Sequence, residues 1–403
     1  MKRESGEVYV AGHSSGLSRR PNVTPVISKE GCIMRLVHIS DTHLGFFAYS
    51  RSDPDMGINQ READFYRAFA RAVDRIMEIK PDIVVHAGDL FDGVRPQNRA
   101  IDFAIRQLIR LSESGVEIVL ISGNHSTPKM RETGSIFRIF EHLNGIHPIH
   151  EPGISEVTVG DLTIHAIPHS TTPSMMDVLP RLKLSRDSRY NVLLVHAGIE
   201  GSSRYRTDHI NQQMIALGTI PADLDYVALG HYHEFAKVRK GMFYSGSIER
   251  LGFGEVGQKK GIVEVDLARG NTQFHELGTR SMFDIESVDA GDLSGIEVFS
   301  EVKSRLEEVP LEGAIARLSI KNVRPEVARS LDVSSLKRLA LDALHFDLKI
   351  ERKDGDMHGE ARDPSIGPLE REYVEYVRGL NIAEDRKKRL LSLGTSYFAE
   401  GTE

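Results

Sequence analysis

Three observations make this an α/β protein. Between Leu36 and Leu143 a short apolar run gives way three times to a polar loop and then to residues at helical spacing, the pattern of parallel strands joined by helical crossovers. After Ile154 the rhythm changes to closely spaced strand patterns, and after Phe283 a shorter stretch alternates helix and strand as a separate α+β unit would. Each early apolar run also ends in Asp, Asn or His, which places polar chemistry outside the carboxyl ends of the strands, where open α/β sheets bind their ligands.

In chain order, residues 1–33 are polar and carry no periodicity, which reads as a disordered extension, and Met34 is a candidate start of translation. Leu36 to Ser40 is a buried strand that delivers Asp41 and His43. A loop from Gly45 to Asn59 precedes a helix from Arg61 to Ile79, with Phe65, Phe69, Val73 and Ile76 on one face and Pro81 as its stop. Ile83 to Ala87 is the second strand and delivers Asp89. A helix over Asn98 to Ser114 ends at Gly115, and a third strand, Val116 to Ser122, runs into Asn124 and His125. A helix near Arg131 to Leu143 follows. Strands are expected at 157–159, 162–167, 192–196, 226–229, 242–245, 261–265 and 272–276, forming a second sheet on the first. His196 ends one of them. Beyond the run Tyr226 to Leu229 stand His231 and His233, which on extended backbone project to the same side. The expected domains are 34–282, then a small unit at 283–351, a linker at 352–368 and two helical stretches within 369–403.

With 40% hydrophobic and 27% charged residues over 403 positions, the chain has the composition of a soluble globular protein of two or three domains. A formal charge of −7 argues against a globally basic nucleic-acid binder but leaves local patches open. The single cysteine, Cys32, excludes an intramolecular disulfide and zinc sites built on several thiolates. No apolar run reaches membrane-span length and no secretory signal opens the chain, so a cytoplasmic protein is expected.

Asp41, His43, Asp89, Asn124, His125, His196, His231 and His233 thus all fall at or just past strand ends. Any one of them is as easily a cap, a turn or a solvated histidine; their joint placement points to metal. His38 and His86, inside apolar runs, read as core. Carboxylate, amide and imidazole without thiolate suit Mn²⁺, Fe²⁺ or Zn²⁺ better than Ca²⁺. Two such ions about 3.5–4 Å apart can clamp the attacking and leaving oxygens of a phosphoryl transfer.

In this order, Asp41 and His43, Gly88 and Asp89, Gly123 to His125, His196, and Gly230 with His231 and His233 resemble the calcineurin-like metallophosphoesterase signature. The resemblance implies a four-layer αββα sandwich with two metals. Asp41, His43, Asp89 and His233 would hold one ion, and Asp89, Asn124, His196 and His231 the other. His125 would be a catalytic histidine that is not a ligand. Tyr244 to Arg250, Phe253 to Glu255 and Lys259 to Gly261 are similar to the SbcD-type nuclease subunit of double-strand-break repair complexes. That likeness implies two Mn²⁺ per subunit, 3′–5′ cutting of duplex ends, endonucleolytic cutting of single strands, a homodimer, and nucleoid association. It also implies that the small unit is a capping domain and that the C-terminal helices bind an ABC-type coiled-coil ATPase. Ser126 stands where the family usually has an acidic residue, and Asp92 where some members carry histidine.

Phosphate contacts to DNA ends are expected from Tyr49, Arg51 and Arg61, and from Ser203, Arg204, Tyr205 and Arg206. The competing readings are a phosphatase or cyclic-nucleotide phosphodiesterase on the same fold, or an inactive scaffold for the ATPase.

Overall fold

The computed structural model describes residues 34–128, 134–170, 172–200, 213–352, 373, 377 and 385–391. The expected N-terminal extension, the linker beyond residue 352, most of the C-terminal helical stretches and the loop holding Ser203, Arg204, Tyr205 and Arg206 lie outside the described residues.

The first half follows the expected rhythm. Strand β1 (Arg35–Ile39) leads through the first loop to α1 (Gln60–Ile79), then β2 (Ile83–His86), α2 (Asn98–Glu113), β3 (Glu117–Ile121) and β4 (Ile146–Ile149). The Asn59 side chain caps α1 by accepting from the Arg61 and Glu62 amides, and Lys80 ends it in the left-handed region just before Pro81. Where the sequence predicts a helix near Arg131 to Leu143, the described part is a 3-10 helix, Ile136–His142, which buries Phe137 and Phe140.

Next come β5 (Ser155–Val159), β6 (Leu162–Ile167), the one-turn α3 (Met175–Val178), β7 (Tyr190–His196), the short pair β8 (Gly198–Ile199) and β9 (Met214–Ile215), then β10 (Tyr226–Gly230), β11 (Ala236–Arg239) and β12 (Met242–Tyr244). Strands β13 (Gly261–Asp266) and β14 (Asn271–Glu276) correct an expectation, because they return to the first sheet instead of extending the second. The two six-stranded sheets run β14-β13-β1-β2-β3-β4 and β11-β12-β10-β7-β6-β5. Strand β13 pairs antiparallel with β1, whereas β1 to β4 are mutually parallel. In that place Val263 and Val265 face the layer between the sheets while Ile262 faces the helices.

Period-two alternation builds the layers. Leu36, Val85, Val119 and Ile121 meet Ile164, Val192, Leu194 and Ala228 of the second sheet. Val37, Ile39, Val84 and Leu120 instead meet α1 and α2 through Phe69, Val73, Ala104 and Leu108. The outer face of the second sheet is covered by α3 and by residues such as Ile215, Ile220 and Tyr232.

The small unit opens on a strand the sequence reading missed, β15 (Met282–Asp289), and continues with α4 (Gly295–Glu307), β16 (Ile315–Val323), α5 (Pro325–Ser330), α6 (Val333–Arg338) and β17 (His345–Arg352). Its three strands are parallel, and its own core gathers Val298, Val302, Leu306, Leu318 and Leu336. Arg280 moors it to the main body: its guanidinium makes a bidentate pair with Asp64 of α1 at 2.5 and 2.6 Å and donates to the Gly313 carbonyl at 2.6 Å. Tyr49 stacks on His345 at 3.9 Å, and Arg317 lies over the Phe253 ring at 4.5 Å.

Candidate metal centre

Because β1, β2 and β3 are parallel, as are β7 and β10, their carboxyl ends meet at one edge of the sandwich. The loops after β1 and β2 zip together there, with the Asp41 amide donating to Gly88 O, His43 to Asp89 O and Leu44 to Leu90 O at 2.9–3.0 Å. Asp41, His43, Asp89 and His231 all have φ between 42° and 100°. A side chain in that region costs about 1–3 kcal/mol, and such residues persist where surrounding structure holds them. Four together mark a site.

The close approaches need glycine. A Cβ on Gly123 would lie 2.2 Å from Asp89 Oδ1, and one on Gly230 would lie 1.9 Å from Ala87 O. Gly123 lets the loops after β2 and β3 close on each other, and Gly230 lets the end of the second sheet approach the first.

Around that seam the side chains fall into two groups. His43 Nε2 faces His233 Nε2 at 3.2 Å, with Asp41 Oδ1 4.0 Å from His233 Nε2. Beside them, His196 Nε2 lies 2.8 Å from Asn124 Oδ1 and 3.2 Å from Asp89 Oδ2, and His231 Nδ1 lies 3.1 Å from Asn124 Oδ1. Asp89 Oδ1 also accepts the His125 amide at 2.9 Å. His231 and His233 do not share one side: φ of 100° at His231 breaks the extended backbone, and the two rings lean on His196 and His43 respectively. Asp41, His43 and His233, and likewise Asp41, Asp89 and His196, each bring donor atoms within 4.8 Å of one another.

The hydrogen bonds on the far sides of the rings fix what the near sides offer. His43 Nδ1 meets Asp92 Oδ1 at 3.2 Å, His233 Nδ1 meets Glu255 Oε1 at 2.7 Å, and His196 Nδ1 meets Ala87 O at 2.8 Å. Each acceptor holds the proton on Nδ1, so each Nε2 presents a lone pair inward, the arrangement of metal-binding imidazoles. Lone pairs from three imidazoles, two carboxylates and an amide oxygen then converge on the same small volume. Acceptors aimed at acceptors repel unless cations lie between them, so the donor set fits divalent metal.

Electrostatics agree. Burial alone would raise the Asp89 carboxyl, but the charge and hydrogen bond of His196, with His43 and His125, hold it well below the usual carboxylate range. Burial alone would lower His196, but Asp89 and then Asp41 lift it to about 9, so these carboxylates favour a positive charge at the ring, which a bound cation would supply in place of the Nε2 proton. The pocket favours positive charge. His38 and His86 behave oppositely: burial depresses each to about 3, as befits neutral core histidines.

His125 is exposed beside the pocket, its Nδ1 2.9 Å from the Asp92 carbonyl and its ring 4.9 Å from that of His43. Of the expected DNA contacts, Arg51 is exposed and Tyr49 half-buried under His345. Arg61 is a correction. Its side chain is completely buried, pairing with Asp64 at 2.7 Å and Glu249 at 3.6 Å and donating to the Arg250 carbonyl, so it braces the core and has no surface to offer a phosphate. Residue-type reasoning could not see this, because an arginine opening a helix after a polar loop looks exposed. Conversely, the roles of Asp92 and Glu255 against ligand histidines were not assigned from sequence, since neither stands at a strand end.

A family model described as calcineurin-like phosphoesterase matches residues 34–235, which span all eight residues from Asp41 to His233. The DNA double-strand break repair protein Mre11 of Methanococcus maripaludis is 28% identical over 276 residues, covering 64% of this chain and 67% of that protein. The protein of the same name from Sulfurisphaera tokodaii is 32% identical over 202 residues, 49% of each chain. That from Methanopyrus kandleri is 26% identical over 365 residues, 85% of this chain and 75% of the relative. The matched stretches thus span from about half to three quarters of these relatives' lengths. A seam of converging acceptors at the strand ends and a family match that contains every one of them lead to one conclusion: the chain belongs to the calcineurin-like phosphoesterase family.

Proposed function

We infer that this chain is a Mn²⁺-dependent DNA nuclease of double-strand-break repair, acting as a 3′–5′ exonuclease on duplex ends and an endonuclease on single strands. The observation that carries the chemistry is the pair of adjoining acceptor groups, Asp41–His43–His233 on one side and Asp89–Asn124–His196–His231 on the other, with Asp89 read as the carboxylate between the two ions. Bound there, divalent ions would polarise the phosphodiester and make water a strong nucleophile near neutral pH. The chain's own residues do the rest. Asp92, Ala87 and Glu255 hold three ligand rings in the orientation that turns Nε2 inward. With Nδ1 engaged by the Asp92 carbonyl, His125 turns Nε2 toward solvent, free to donate a proton to the departing sugar oxygen.

DNA as substrate is supported by the Mre11 relatives and by the small unit standing against the first loop through Tyr49 and His345. In this reading the small unit caps the DNA path, the residues beyond 352 engage an ABC-type coiled-coil ATPase, and two copies associate through α2, whose Ile101 and Ile105 are only partly buried. Among the described residues no helix is long and apolar enough to cross a membrane. A cytoplasmic, nucleoid-associated protein follows from the substrate.

The test is hydrolysis of 3′- and 5′-labelled duplex and of single-stranded DNA in Mn²⁺, comparing wild type with His125→Ala. Shortening from the 3′ end by wild type, with a much slower His125→Ala, is expected. Intact DNA alongside rapid hydrolysis of small phosphoesters would transfer the protein to the phosphatases.

A further inference from the structure

Lys260 is a lysine with 1% of its surface exposed, and none of the chemistry above uses it. Its ammonium has three N–H donors and three acceptors: Glu255 Oε2 at 2.7 Å, the His233 carbonyl at 2.8 Å and Gln258 Oε1 at 2.9 Å. Glu255 in turn places Oε1 2.7 Å from His233 Nδ1, while the Leu251 amide also donates to Oε2 at 3.1 Å. His233 is therefore gripped at both ends by one buried cation, through its own carbonyl and through a carboxylate on its ring. The other oriented rings are held differently. Asp92, on His43, is one-third exposed, and His196 leans on an uncharged carbonyl.

The grip also crosses the seam. Lys260 immediately precedes β13 of the first sheet, whereas His233 follows β10 of the second. Glu255 sits in a 3-10 turn, Phe253–Glu255, between them.

We propose that Glu255 and Lys260 form a positioning relay that fixes the ring and backbone of His233, and so sets the affinity of the ion shared by Asp41, His43 and His233 without equally affecting its neighbour. A carboxylate on the distal nitrogen fixes the tautomer and raises the basicity of a ligand imidazole, and losing such a partner weakens metal affinity about 10- to 100-fold. Lys260 adds direction. By holding Glu255 and the His233 carbonyl together it removes the rotation about the side chain that would swing Nε2 away from His43 Nε2.

The proposal rests on the two-ion reading of the site and not on the substrate, so the test contains no DNA. Full-length wild type is titrated with Mn²⁺ and followed by calorimetry and by electron paramagnetic resonance; fewer than two ions in wild type would sink the two-ion reading itself. The relay is tested in Glu255→Ala/Lys260→Met, which leaves no unpaired buried charge, and in Glu255→Gln/Lys260→Met, which keeps an acceptor oxygen for His233 Nδ1. Expected in the alanine variant is one ion weakened about 10- to 100-fold, with the other within about twofold, and a spectrum at two equivalents dominated by isolated Mn²⁺ in place of a coupled pair. The glutamine variant should recover part of that loss. Thermal midpoints measured in EDTA separate loss of ion from loss of fold. Wild-type affinity for both ions in the alanine variant, or equal weakening of both in a variant that stays folded, would overturn the relay.

Discussion

At His125 and Gly123 two neighbouring residues matter for opposite reasons. His125 donates its backbone amide to Asp89, and its exposed ring stands at the rim against His43, where His43, Asp92 and His125 bring donor atoms within 4.8 Å of one another, while Nδ1 is engaged by the Asp92 carbonyl. Its replacement by alanine should leave metal content unchanged and lower kcat on a small diester about 10²–10⁴-fold, the range for loss of a general acid. Metal analysis together with kinetics checks both halves. Gly123→Ala should do the reverse: a methyl 2.2 Å from Asp89 Oδ1 displaces that carboxylate, and metal analysis after gel filtration should find the ions lost with the activity. The ligand-type residues were readable from sequence because each follows an apolar run. Glu255 and Asp92 were not, since their function is set by which ring nitrogen they face, and that is known only once the loops are placed.

At the scale of elements, α1 is the member most exposed to misreading. Arg61 looks like a surface residue in sequence but is buried, because Asp64 and Glu249 neutralise it and the Arg250 carbonyl takes a further donor. Removing one partner from a buried pair costs about 3–5 kcal/mol. Arg61→Ala should lose on that order of stability in urea unfolding, far more than Arg51→Ala at its exposed position. The loop before α1 carries a pH dependence. The Arg67 guanidinium, aided by the Met56 amide and Gln60, holds the Asp53 carboxyl well below the usual carboxylate range against the opposing effect of burial. A carboxyl depressed by folding adds stability that is present above its unfolded value, near pH 4, and fades as pH falls toward the folded one. Wild type should therefore exceed Asp53→Asn in stability at neutral pH, with the gap closing below about pH 4, as denaturant melts across that range would show. Strand and helix periods were legible in most of the first half, β4 and the 3-10 helix Ile136–His142 excepted, whereas the sheet joined by β13 was not: alternation tells which residues face inward but not which neighbour they face.

For the whole molecule, the metal centre is also a structural joint between two sheets. Candidate ligands from the first sheet (Asp41, His43, Asp89, Asn124) and the second (His196, His231, His233) converge on one volume, so ions bound between them would stabilise the native state by linkage. At a free concentration a hundredfold above Kd that is roughly 2.7 kcal/mol per ion. Chelation should lower Tm by on the order of 5–10 °C, returning on re-addition of Mn²⁺ in scanning calorimetry. The small unit is joined more lightly, through Arg280 and two ring contacts. A change of rhythm after Phe283 pointed to a further sheet and its own core; its mooring was not legible, because Arg280 gives no sign in sequence of pairing with a residue over two hundred positions earlier. The bare backbones at Gly123 and Gly230 bear on how such a chain can vary over time. They bind nothing and catalyse nothing, yet a single added carbon at either would collide with Asp89 or Ala87. In a saturation library selected for hydrolysis they should be as invariant as the ligands, so a map of tolerated substitutions would mark them as chemistry when they are only clearance.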